Sequence, residues 1–203
     1  QIILLTGASS GFGRAAALAL AADGHRVYGV SRRTLADSAL ERALAGYIRG
    51  DLCNKETARQ AVQTVLSCEG RVDVLINDAG TGIGGALEDT DDEALRQLME
   101  LNFFAMTRMC RAVLPSMRQR GSGKIINISS LGGLAGLPFQ GAYSASKYAV
   151  EGYSEALRSE VLPFGISVAL VEPGDFQTKF TSSRQIVGAD SPYAVYGQRA
   201  LQR

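Results

Sequence analysis

The chain has 203 residues, 46% of them hydrophobic and 20% charged, which suits one soluble globular domain with a sizeable core. A net charge of +1 gives no footing for a nucleic-acid surface, and no apolar run reaches membrane-spanning length. His25 stands alone, so no metal site is expected, and the widely spaced Cys53, Cys68 and Cys110 argue for reduced thiols in the cytoplasm rather than a disulfide framework.

The run Ile2-Ile3-Leu4-Leu5 reads as a strand buried on both faces. Thr6-Gly7-Ala8-Ser9-Ser10-Gly11-Phe12-Gly13 follows, and a helix is predicted over 14–22. A glycine-rich turn between a buried strand and a helix N-terminus lets backbone N–H groups approach an anion such as a pyrophosphate. The spacing is G-x-x-x-G-x-G rather than G-x-G-x-x-G. The same residues match G-x-S-x-G, the nucleophile elbow of hydrolases, but that chemistry needs an acid and then a histidine later in the chain. His25 comes too soon, in Asp23-Gly24-His25, a helix end turning into the next strand. Arg14 opposes the helix dipole, and either reaches a phosphate or points to solvent.

A second strand is predicted over 27–30, followed by Ser31-Arg32-Arg33 where an acid would bind a ribose 2′-hydroxyl. Arginines there accommodate a 2′-phosphate instead; the plainer reading is a solvated pair of loop charges. A helix over 35–44, a strand over 47–49 and Asp51-Leu52 come next. A helix over 55–67 leads to a buried strand over 72–76, which ends in Asn77-Asp78-Ala79-Gly80. Asp91-Asp92-Glu93 open a long helix to about residue 117, with Asn102 in its middle and Pro115 loosening its last turns. A strand over 124–128 ends in Ser129-Ser130, and a Gly- and Leu-rich loop follows to Gln140.

The next helix, ending near residue 162, carries Tyr143 and Lys147 four residues apart on one face, with Val150, Tyr153, Leu157 and Val161 as its core stripe. An ammonium beside a phenol stabilises the phenolate, which makes the pair a proton-transfer device if it lines a cleft. The plainer reading is a packed tyrosine beside a solvated lysine. A strand over 166–171 ends at Pro173-Gly174. Six strands alternating with helices predict an α/β fold: a doubly wound parallel sheet of the Rossmann type, one domain over 1–203.

With these residues placed, the chain resembles the short-chain dehydrogenase/reductase family over nearly its whole length. The resemblance rests on the glycine turn, Asp51, Asn77 to Gly80, Asn102, Ser130, Tyr143-x-x-x-Lys147 and Pro173-Gly174, all in the family's order. It implies hydride transfer between a nicotinamide and a carbonyl or alcohol carbon. Tyr143 is then the proton donor and Lys147 the group that lowers the tyrosine pKa and holds the nicotinamide ribose. Ser130 hydrogen-bonds the substrate oxygen, and Asn102 holds a water that feeds protons to Lys147. Ser130 is preferred to Ser129 because its interval to Tyr143 is the family's usual one; Ser129 then packs at the strand end.

For the cofactor, the resemblance implies contacts from Gly7, Ser9, Ser10, Gly11, Phe12, Gly13, Tyr143, Lys147, Pro173 and Gly174. It further assigns Asp51 to the adenine, Asn77 and Gly80 to the adenosine side and Thr178 to the carboxamide. Arg32 and Arg33 make the cofactor NADP(H). Phe139 and Phe176, with Leu134, Leu137 and Phe180, suggest an apolar substrate pocket of the steroid- or retinoid-active kind. A small-molecule substrate, no nucleic acid, no membrane and a homodimer or homotetramer are the expected partners.

Two departures stand out. Asp78 replaces the family's second asparagine, keeping an acceptor and losing a donor, so local contacts there should differ. Nothing between Asp175 and Arg203 reads as the family's seventh strand, so the final strand is expected to be missing and 175–203 to be a partial substrate lid. The competing function is a non-catalytic NADP-binding, sensing protein of the same fold. The presence of Ser130, Tyr143 and Lys147 favours the enzyme.

Overall fold

The computed structural model describes residues 1–174 and 184–201. In chain order, β1 (Ile2–Thr6), α1 (Gly11–Ala22), β2 (Arg26–Ser31), α2 (Ser38–Ala43), β3 (Gly46–Arg49), α3 (Lys55–Glu69) and β4 (Val74–Asn77) form the first half. The second half begins with β5 (Ile83–Gly84) and α4 (Asp92–Met99) and continues through α5 (Ala105–Arg120), β6 (Gly123–Ile128), α6 (Gly141–Val161), β7 (Ile166–Val171) and β8 (Gln185–Ile186). Six strands make one parallel sheet in the order β3-β2-β1-β4-β6-β7. The doubly wound sheet anticipated from the pattern is therefore present.

Strand alternation divides the core into two layers. Ile3, Leu5, Val27, Val74 and Ile76 pack with Ala17 of α1 and Leu40 of α2 on one face. Leu4, Val30, Leu75, Ile125 and Val168 pack with α3, α5 and α6 on the other. Each fully buried Val, Leu or Ile contributes roughly 1.5–3 kcal/mol, so the two layers together hold the sheet between helices. On α6 the stripe is Val150, Leu157 and Val161, with Tyr153 half-buried against it and edge-on to Phe103.

Caps set several boundaries more narrowly than periodicity does. Asp37 accepts from Ala39 N–H and Leu40 N–H and starts α2 there, three residues later than predicted. Asn54 caps α3, and Gly70 ends it in the left-handed conformation. The long central helix is interrupted: a π-helical turn, Glu100–Phe104, stands between α4 and α5, and such turns concentrate at functional sites. Pro115 does not end α5, which runs to Arg120 while the Ser116 hydroxyl donates to Val113 O at 3.0 Å. Two late elements escaped the sequence pattern. β8 is a two-residue exposed partner of β5, too short for a periodic signal, and the helix Ala194–Leu201 buries only Gly197.

Strand order reverses between β1 and β4, because β2 and β3 are laid to one side and β6 and β7 to the other. In open parallel sheets the crevice beyond the carboxyl ends at such a point is where ligands bind. Thr6, Asn77 and Ile128 end their strands there.

Candidate active site

A cleft of about 470 Å³ opens at that reversal. Its walls come from the turn after β1, the ends of β2 and β3, the loop after β4, the end of β6, and α6.

The β1–α1 turn is built for close approach. Gly7 has φ +76 and Gly11 φ +56, values that side chains with a Cβ seldom adopt. A Cβ on Gly13 would stand 2.5 Å from Gly7 O, so the helix start packs directly on the turn. Ser10 is the N-cap of α1 but makes no side-chain cap hydrogen bond. The donors of the first helical turn are thus not satisfied by that hydroxyl, which suits an anion at this helix end. Gly7, Ser9, Ser10, Gly11 and Phe12 line the cleft, whereas Gly13 lies beneath it.

Arg32, Arg33 and Asp51 line the neighbouring wall. Tyr47 Oη donates to Arg33 O at 2.7 Å, which ties the backbone of the pair to β3. Neither arginine makes an ion pair among the described residues. Arg14 is part-exposed, and its Nε donates to Asp37 and holds that carboxyl below the usual carboxylate range.

On the opposite wall Tyr143 is buried, and Lys147 Nζ lies 5.8 Å from the centre of its ring. Lys147 donates to Ile128 O at 2.8 Å, so the end of β6 fixes the ammonium. Burial pushes this lysine down to about 8, against the charges of Asp78 and Glu151, which pull it up. Ser130 lines the cleft beside them, its hydroxyl accepting from Gly132 N–H at 3.1 Å. The plainer alternative of a solvated lysine does not hold, since only 6% of Lys147 is exposed.

Asn102 sits in the π-helical turn with 2% exposure. Its amide nitrogen donates to Thr81 O and to Ser146 Oγ, both at 2.9 Å, and its Oδ1 accepts from Thr81 N–H at 2.8 Å. Both amide hydrogens are used, so the side chain fastens the loop after β4 to α6. A water on Asn102 would need its backbone carbonyl or the second lone pair of Oδ1.

Three expected site residues are placed elsewhere. Asn77 is turned away from the cleft: its amide donates to Asn127 Oδ1 at 2.9 Å, and Asn127 donates in turn to Ser154 Oγ. The cause is strand parity, which puts Asn77 on the same face as Leu75 and hence towards α5 and α6. Phe139 has φ 60, and its ring packs on Gly197 rather than in the cleft. Leu134 is exposed and also stands off the cleft, while Leu131, Leu137 and Gln140 line it. Gly80, Pro173 and Gly174 line the cleft. Phe176, Thr178 and Phe180 lie outside the described residues.

Two carboxylates matter more than the sequence indicates: Asp78 stands out there only as a departure from the family's asparagine, and Glu151 does not stand out at all. Asp78 lines the cleft from beneath the glycine turn, and Glu151 is buried one helical turn beyond Lys147. The four-residue spacing from Lys147 to Glu151 was the available signal. Ser129 is buried at the strand end, where it also lines the cleft; among the described residues its Oγ has no partner, and it lies near Glu151 Oε1, which also has none.

Known proteins with this arrangement are numerous. A family model described as short chain dehydrogenase matches residues 1–186. A protein of Bacteroides thetaiotaomicron named 3-ketodihydrosphingosine reductase is 53% identical over 205 residues, spanning 100% of this chain and 75% of that one. Human retinol dehydrogenase 8 is 40% identical, over 89% of this chain and 60% of its own length. Among solved structures, a short-chain dehydrogenase from Streptomyces avermitilis superposes with a TM-score of 0.90 at 41% identity, covering 100% of this chain and 79% of the other. ElxO, solved with NADP bound, gives 0.82 at 27% identity over 88% of this chain and 75% of its own. With a sheet, a cleft and a family match that coincide over almost the entire sequence, the chain belongs to the short-chain dehydrogenases, oxidoreductases that use a nicotinamide cofactor on small-molecule substrates.

Proposed function

We propose that this protein is an NADP(H)-dependent reductase or dehydrogenase that interconverts a carbonyl and an alcohol on an apolar, long-chain substrate. The observation that carries the reading is the convergence of Ser130, Tyr143 and Lys147 on the cleft that the glycine turn and Arg32-Arg33 also line. When bound, the cofactor supplies the hydride. Tyr143 gives its phenolic proton to the substrate oxygen as negative charge develops there, and Ser130 donates a hydrogen bond to the same oxygen. Lys147 offsets the phenolate left behind and holds the nicotinamide ribose. Asn102 keeps the loop after β4 against α6 and holds a water for proton resupply. Phe176 and Thr178 keep their assignments to substrate and to the nicotinamide carboxamide.

The substrate class is supported by the leucine-lined cleft, Leu131 and Leu137, and by relatives named for a sphingoid ketone and for retinol. NADPH oxidation assayed across long-chain ketones, steroids, retinal and sugars tests it. Turnover confined to sugars or short polar ketones would overturn the apolar assignment. Three free thiols and no disulfide among the described residues support a cytoplasmic setting. Among those residues no helix is long and apolar enough to cross a membrane.

For the cofactor, Arg32 and Arg33 should favour NADPH over NADH by at least about tenfold in kcat/KM, since a charge-assisted hydrogen bond contributes roughly 1.5–3 kcal/mol. Equal or reversed ratios would sink this assignment. A homodimer or homotetramer belongs to the same reading, because Leu95 and Phe104 on the central helices and Tyr148 on α6 are exposed. Sedimentation at micromolar concentration should give the dimer or tetramer, and Phe104→Asp should shift it towards monomer; a wild-type protein that sediments only as monomer counts against assembly.

A further inference from the structure

Asp78 is drawn under the glycine turn rather than out into the loop that follows β4. Its backbone N–H and that of Ala79 both donate to Thr6 Oγ, at 3.0 and 3.1 Å, which pins the end of β4 to the end of β1. Its carboxylate accepts from Gly13 N–H. Oδ2 lies 2.6 Å from where a Cβ on Gly13 would stand and 3.0 Å from where one on Gly7 would stand, so the carboxylate fits only because both are glycines. From the other side Lys147 of α6 faces it, with Glu151 beyond Lys147. The turn and β1 bring hydroxyls and backbone N–H groups to it but no charge. One carboxylate thus stands between the turn suited to a pyrophosphate and the cation suited to a ribose.

We propose that Asp78 takes up a proton when the pyrophosphate of the cofactor settles on the glycine turn, so that cofactor binding and protonation of this buried carboxyl are linked. The inference rests on the cofactor reading above. Two effects of binding act in the same direction: a negative charge arrives close by, and water leaves the cleft. Both disfavour the ionised carboxylate. Burial already holds Asp78 up at about 6, although Lys147 and the Gly13 N–H pull it down. At pH 7 the free protein therefore carries mostly the carboxylate, and any further rise on binding draws a proton from solution. Cofactor affinity is then full below about pH 6, falls as pH rises through the free and bound values, and levels off above both. A rise of one unit spans about a tenfold change in affinity.

Calorimetric titration with NADPH at pH 6.5, in buffers of different ionisation heat, counts the protons. This pH lies well below the point at which Lys147 gives up its own. A one-unit rise corresponds to about half a proton taken up per cofactor. The cofactor 2′-phosphate also titrates near 6, but it contributes equally to wild type and to Asp78→Asn, so the difference between the two isolates Asp78. The asparagine keeps an acceptor for Gly13 N–H, and a purely structural role would leave the proton count unchanged. The expected result is an uptake larger in wild type by about half a proton. NADPH binding to both proteins with equal proton counts overturns the linkage. If Asp78→Asn fails to fold, wild type is titrated with NADH, whose pyrophosphate diester does not titrate in this range, and zero uptake again overturns it. Binding of neither cofactor to folded wild type removes the cofactor reading itself, and the linkage with it.

Discussion

Tyr143→Phe should abolish turnover while leaving NADPH binding nearly intact. Removing a positioned acid commonly costs ~10²–10⁴-fold, and the same hydroxyl is also a donor to the developing oxyanion, so the loss should sit at the upper end of that range or beyond it. The exchange removes one oxygen and leaves the buried ring, which packs beside Gly132, with its volume. The fold should therefore survive, and circular dichroism with NADPH fluorescence titration would establish this before kinetics are compared. Single-turnover measurements then decide the point. A folded variant keeping more than about a tenth of wild-type kcat would refute the proton-donor role.

Lys147→Ala should fail differently, in turnover and in cofactor binding together. The ammonium is buried, donates to Ile128 O and faces both Asp78 and Glu151. Its loss leaves a carbonyl without that donor and two buried carboxylates without the shared cation, so stability should drop along with activity. Part of that cost is relieved as Asp78 protonates instead, since its level already lies near 6 and loses a charge that held it down. Lys147→Met, which keeps the apolar stem, separates the packing loss from the charge loss. Turnover should fall at least about a hundredfold in both variants, by analogy with losing a positioned proton-transfer group. The pH profile supplies the sign. Burial holds Lys147 at about 8, so it carries charge below that value and is neutral above it. In the direction of carbonyl reduction, wild-type kcat/KM should decline as pH rises through about 8. That limb should be missing from Lys147→Met, and its persistence there would assign it to another group.

Much of this architecture can be read directly from residue pattern. Continuous apolar runs marked the buried strands, and a glycine-rich turn between strand and helix marked one wall of the cleft. The Tyr143–Lys147 spacing marked its other wall. What escaped notice depends on which way a side chain faces at a strand end. Val74 and Ile76 face α1, Leu75 faces α3 and α5, and parity alone sends Asn77 into the core and Asp78 beneath the turn. That alternation was available, but the resemblance assigned Asn77 to the cofactor together with Gly80. The Arg14–Asp37 pair was less accessible, because it joins a helix start to the cap of another helix across an irregular loop. Likewise the left-handed backbone at Phe139 falls on a residue type that does not announce it.

The bonds from Asp78 and Ala79 to Thr6 join residues 72 and 73 positions apart in the chain. The cleft is therefore no local hairpin that forms early and waits for the remainder. Its floor exists only once β1 has found β4 and β4 has found β6, a sequence of long loop closures that makes parallel sheets slow to fold. A molecule gripping this floor gains nothing from partly folded chains, so occupancy should stabilise the entire sheet rather than one corner of it. At a hundred times its dissociation constant, such a ligand adds roughly 2.7 kcal/mol against global unfolding. In a cell, the supply of that ligand would then set how often a folded chain reopens to proteolysis.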